Sequence, residues 1–152
     1  MEQPTSGSDL TPRLVEQLYA EALLLADEAR GYFDGDGRDD RDELGAGGGV
    51  TFACESLKAT SRLMHVLAWL LARRAHGGDA DAATAREPAR RLGEEAGSGA
   101  EDVAGLPLRA RLLIARSQEL YARVARLDGE GARQGEVASP ARSLQGRLEQ
   151  SF

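Results

Sequence analysis

The residues of this chain best suited to specific chemistry are two histidines, His65 and His76, one cysteine, Cys54, and an acidic run from Asp34 to Glu43. A metal site built on a helix needs a second ligand at helical spacing. Around His65 the neighbours Ser61, Arg62 and Trp69 supply none, and Glu55 lies too far along. His76 falls at a helix end, where a cation suits the negative pole. A calcium-binding loop wants oxygen ligands at positions 1, 3 and 5, Gly at 6 and Glu at 12. Counted from Asp34, the last three of these fall on Arg38, Asp39 and Gly45. The run reads instead as a solvated acidic turn. Gly47, Gly48 and Gly49 do not form a phosphate loop, because no strand precedes them and no Gly-Lys-Ser/Thr follows. A nucleophilic cysteine needs a positioned base. Cys54 sits beside Ala53 and Leu57 and reads as a small buried hydrophobe. No Ser/His/Asp order, paired catalytic carboxylates or Gly-x-Gly-x-x-Gly emerges. The expectation is a protein that is not an enzyme and has no metal or nucleotide cofactor.

The bulk numbers point the same way. The 152 residues suffice for one domain, and the formal charge of −6 disfavours nucleic acid as a partner, since affinity there comes from cations neutralising phosphates. Lys58 is the one lysine among 19 basic residues. A lone cysteine excludes an internal disulfide and fits a reducing compartment. The first residues, "MEQPTSGSDL", lack a basic and then an apolar region, so no signal peptide is expected. The most apolar stretch, Leu63 to Ala72, is bracketed by Arg62, Arg73 and Arg74 and is too short for a span of about 20 residues. A cytoplasmic protein with no membrane association is expected.

Three helices must carry these residues. Thr11 and Pro12 give a helix start. Leu14, Leu18, Leu25, Ala29 and Tyr32 then hold one apolar face to about residue 33. The segment 34–49 reads as a Gly- and Asp-rich breaker. A second helix runs from Val50 to Ala75. Val50, Ala53, Leu57, Met64, Leu67 and Leu71 mark one face, Leu63, Val66 and Leu70 another, and Trp69 a third. The connection 77–105 has almost no large apolar residue and is expected to add little to a core, with a short surface helix over 84–92. The third helix runs from Leu106-Pro107 to Asp128, with Leu113, Leu120, Val124 and Leu127 as its stripe and Gly129 as its stop. The fold expected is an all-α antiparallel three-helix bundle with long loops. Residues 1–10 form a disordered N-terminus, 11–129 the bundle, and 130–152 a disordered tail with a weak helix over 143–150. A chain ending at Asp128 should then melt close to the full one.

A helix apolar on more than two sides has more to bury than two neighbours can cover. Leu63, Val66, Trp69 and Leu70 are therefore assigned to a partner or dimer interface. Trp69→Glu is expected to give a folded monomer, and Leu67→Glu to unfold the chain. Glu55, Arg62, Arg116 and Glu119 lie beside the apolar stripes. They read first as salt bridges at the core rim, and second as a polar docking patch.

Three segments taken together resemble a known family. "YFDGDGR" (32–38), "CESLKATSRLMHVLAWLLARRA" (54–75) and "LPLRARLLIARSQELYARVARLD" (106–128) are similar, in order and spacing, to the RcdA family, the regulators of CtrA degradation. The resemblance implies a small dimerising helical bundle with a disordered C-terminal tail. It implies an adaptor that delivers clients to the ClpXP protease in cell-cycle control. The partners implied are a ClpX-type unfoldase, CpdR-like and PopA-like regulators and a CtrA-like client. The long second loop and the acidic first loop depart from the family pattern. A helical regulatory or scaffold protein with no protease role is the alternative.

Overall fold

A computed structural model describes residues 10–75, 91–137 and 147–148 of the chain. Five helices and no strand occur among them: α1 (Leu10–Asp34), α2 (Gly37–Glu43), α3 (Gly45–Ala75), α4 (Ala100–Ala104) and α5 (Leu108–Val137). The three long helices pack around one core, in which Leu18, Leu25 and Tyr32 from α1 meet Leu63, Val66 and Leu70 from α3 and Leu113, Ile114, Leu120 and Val124 from α5. The fold is an all-α bundle, as the periodicity predicts.

The helix directions are not all antiparallel. On α1 and α5, Glu28 pairs with Arg116 and Glu21 with Arg123, so these helices run in opposite senses. Between α3 and α5, Arg62 meets Ser117 and Trp69 meets Asp128, so numbers rise together and the two are parallel. Parallel neighbours need a connection that returns along the bundle, and residues 91–99 do return, from Asp128 at Leu92 to Glu55 at Ser98.

The Gly- and Asp-rich stretch is helical. Residues 37–43 form α2, and Gly45 to Gly49 are the first turns of α3. Tertiary contacts override propensity here. Tyr32 Oη donates to Asp40 Oδ2 at 2.6 Å, and Tyr32, Phe33 and Phe52 form an aromatic cluster with centroids 5.2–6.2 Å apart. Gly37 is buried where a Cβ would lie 2.6 Å from the Tyr32 carbonyl oxygen and 3.3 Å from the Phe52 ring. Gly45 makes the corner from α2 into α3 at φ 74°, with open space around it. Gly45→Ala is therefore a purely conformational change. It should cost about 1–2 kcal/mol, read as a lower urea midpoint with an unchanged slope.

Two boundaries move. Helix α1 is already under way at Leu10, so Thr11 is inside the helix and Pro12 sits in its first turns. Helix α5 continues through Gly129 to Val137 instead of stopping at Asp128. The three glycines of this stretch, Gly129, Gly131 and Gly135, cost only about 1 kcal/mol each, and the buried Asp128 is fixed by bonds from Trp69 and Arg91. A cut at Asp128 would thus remove helical residues. Of the surface helix expected over 84–92, residues 84–90 lie outside the described residues and Arg91 and Leu92 are not helical; most of the tail also lies outside them, although Arg147 and Leu148 are helical.

Candidate protein-binding site

Helix α3 presents two unlike sides. Its inward side carries Phe52, Glu55, Ala59, Arg62, Leu63, Val66, Trp69 and Leu70. This overturns the interface assignment. Leu63, Val66, Trp69 and Leu70 are buried within a single chain and have no surface to give a partner. Trp69 is a core residue whose Nε1 donates to Asp128 Oδ1 at 3.0 Å. Periodicity shows that several faces are apolar, not which of them points inward.

Glu55 and Arg62, one charged pair at a spacing of seven, are also fully buried. Arg62 donates to Ser117 Oγ at 3.0 Å, to the Ala96 carbonyl at 2.9 Å and to Ser98 Oγ. Its Nε faces Glu95 at 3.4 Å without hydrogen-bond geometry. Glu55 accepts from Lys58 at 2.9 Å and from Ser98. These two residues belong to the interior, and neither is available for docking. Arg116 and Glu119 are exposed on α5, and Arg116 holds Glu28 at 2.7 Å. The four proposed docking residues thus do not form one patch.

Burial works against ionisation of Glu55, but hydrogen bonds from Ser98 and Lys58 and the charges of Lys58 and Arg62 outweigh it, so its pKa lies below the usual carboxylate range. A carboxylate with a depressed folded pKa contributes stability above its unfolded pKa of about 4.3, and that contribution is lost as pH falls through the folded value. Thermal melts from neutral pH to about pH 3 should show this loss, with a smaller acid-induced fall for Glu55→Gln.

The segment 91–99 takes part in the same interior. It lies irregular and extended along α3 and α5. Leu92 N–H donates to Asp128 Oδ2 at 3.3 Å and the Gly93 carbonyl accepts from Tyr121 Oη at 2.5 Å. Residues 91–99 of the connection, which was expected to add little to a core, are held by backbone and polar contacts that composition does not reveal.

The outward side of α3 is different in kind. From Val50 to Ala72 the exposed positions are Val50, Cys54, Leu57, Thr60, Met64, Ala68 and Leu71. None carries a charge. Val50, Leu57, Met64 and Leu71 are 65%, 70%, 64% and 46% exposed and recur every seven residues. Cys54 is exposed within this stripe, not buried as expected. A groove of about 720 Å³ runs beside the stripe between α1 and α3. Its floor includes Ala26, Ala29, Phe33, Leu63 and the partly buried Leu67, and Arg30, Arg38 and Arg41 stand at its α2 end. A seven-residue apolar repeat is the spacing with which one helix packs along another. Val50, Leu57, Met64 and Leu71 are legible as one apolar face in the sequence, but that face points outward and not to the core.

Among the described residues, no group of three His, Cys, Asp or Glu side chains could hold a metal ion, and no helix is long and apolar enough to cross a membrane.

Comparison with known proteins agrees with the resemblance read from the three segments. A search of curated proteins gives no match. A solved structure, the crystal structure of RcdA from Caulobacter crescentus CB15, is similar at a TM-score of 0.60 and 31% identity, over 78% of this chain and 90% of that one. A family model described as "Protein of unknown function (DUF1465)" matches residues 7–152. This chain, with its buried charged pair and its charge-free outer helix face, belongs to the RcdA family.

Proposed function

We propose that this protein is a non-catalytic adaptor in regulated proteolysis that works as a homodimer. The observation that carries the reading is the uncharged stripe on α3. A contiguous apolar face on a monomer usually marks a protein interface. The stripe is also self-complementary. A two-fold axis near Thr60 and Ser61 would set Leu57 against Met64 of a second copy, and Val50 against Leu71. Small residues at the centre allow two helices to approach. Dimerisation leaves the rest of each bundle free for other proteins. Tethering then raises effective concentration without chemistry. Likeness to RcdA supports a ClpX-type unfoldase, CpdR-like and PopA-like regulators and a CtrA-like client as those proteins, in the cytoplasm and without nucleic acid or membrane.

A tagged chain in lysate from a protease-trapping strain of the producing organism tests the reading. Capture of the unfoldase, a regulator or a trapped client is expected. Partners recovered with no protease component would favour a helical scaffold without a protease role. For the dimer, Leu57→Asp should leave helix content unchanged, because Leu57 is exposed in the single chain, and should shift the chain to monomer, because it buries one carboxylate from each copy in the seam.

A further inference from the structure

Segment 91–99 is bound to the bundle in the way a groove binds an extended peptide. It lies between two parallel helices, and buried side chains reach its main chain. Asp128 accepts from Leu92 N–H, Tyr121 donates to the Gly93 carbonyl, and Arg62 donates to the Ala96 carbonyl. Side-chain recognition is added at fixed places. Leu92 packs on the core, Glu95 faces Arg62, and Ser98 lies between Arg62 and Glu55. Gly93 is read by shape, because a Cβ there would lie 2.7 Å from the His65 ring. The segment gives the hydrophobic core only Leu92, while the buried apolar side chains come from α1, α3, α5 and Leu106.

We propose that the α3–α5 groove is a peptide-binding site, and that segment 91–99 fills it as an internal ligand that a client segment of the same chemistry displaces. That chemistry is an extended stretch with a leucine-sized anchor, then glycine, then acidic residues, then small residues. Arg62, which faces Glu95, and Arg73, which lies near Asp128, are cations of the groove that suit an acidic ligand, while Arg91 of the segment itself pairs with Asp128. The existence of a client rests on the adaptor reading, whereas the groove and its ligand chemistry rest on the fold. Because the internal copy competes at high effective concentration, an added peptide meets only the small open fraction, and its apparent affinity falls by that fraction.

The test uses the full chain and a fluorescent peptide of residues 91–99, Arg-Leu-Gly-Glu-Glu-Ala-Gly-Ser-Gly. Gly93→Ala should lift the internal segment off His65 while leaving every groove side chain in place. Anisotropy should show the peptide binding this variant at least about tenfold more tightly than the wild type. Peptides with Ser for the leucine or Lys for the second glutamate should bind weakly to both. Absence of binding to a Gly93→Ala chain of unchanged helix content overturns the proposal. Hydrogen exchange on the wild type decides the matter even where that variant fails to fold. The Leu92 amide should exchange through a local opening, far faster than amides at the centre of α3. Exchange of both at the same rate, through global unfolding, would make the segment a fixed part of the domain and overturn the proposal. Neither readout involves a protease, so an empty pull-down and an empty groove are separate results.

Discussion

Trp69→Glu is expected to leave the chain largely unfolded. The indole is buried between α3 and α5 and bonded to Asp128, with the Arg73 guanidinium 4.4 Å from its ring centroid. Truncating a buried Trp costs about 3–5 kcal/mol. The substitution also adds a second buried carboxylate beside Asp128, which already draws on Arg73 and Arg91, and this costs several kcal/mol more. A domain has about 5–15 kcal/mol in total. Circular dichroism at room temperature should show most of the helix signal gone. Retained helicity with loss of dimer would return Trp69 to the surface, as its sequence context suggests.

Arg62→Ala should be nearly as damaging, lowering stability by about 3–5 kcal/mol. The reason is what stays behind. Glu55 remains buried with Lys58 as its remaining cation, while Ser117 Oγ and the Ala96 carbonyl lose their donor. Replacing both partners, as in Glu55→Leu with Arg62→Met, removes the unpaired charge as well and should cost markedly less than Arg62→Ala alone. Urea titration of the three proteins checks the order. If the double variant is the least stable, the pair contributes more than it costs to desolvate.

Much of the fold is legible in the sequence because α1 and α5 each carry one dominant apolar stripe, although Leu14, Leu23, Leu24 and Leu112 stand exposed. Leu18, Leu25, Ala29 and Tyr32 on one helix, and Leu113, Leu120 and Val124 on the other, can point only inward, and they do. Helix α3 is harder because apolar residues surround it. The deciding signal is Glu55 and Arg62. They look like rim residues, yet they lie on the buried side, because segment 91–99 brings Ser98 and the Ala96 carbonyl to satisfy them. That satisfaction comes from residues more than thirty positions away and leaves no trace in local periodicity. The stripe left outside keeps a spacing of seven, the period of helices that pair with other helices. The helical course of α2 and of Gly45 to Gly49 was hidden for a similar reason. It depends on the Tyr32–Asp40 bond and the Phe52 ring rather than on propensity.

The binding role of the outer face of α3 is tested most directly by sedimentation equilibrium on the full chain and on Leu57→Asp, at micromolar to high-micromolar concentration. The wild type should sediment at twice its 16.2 kDa mass and Leu57→Asp at once that mass, with equal helix content. A wild type that remains monomeric throughout that range, or a Leu57→Asp chain that remains dimeric, would contradict it.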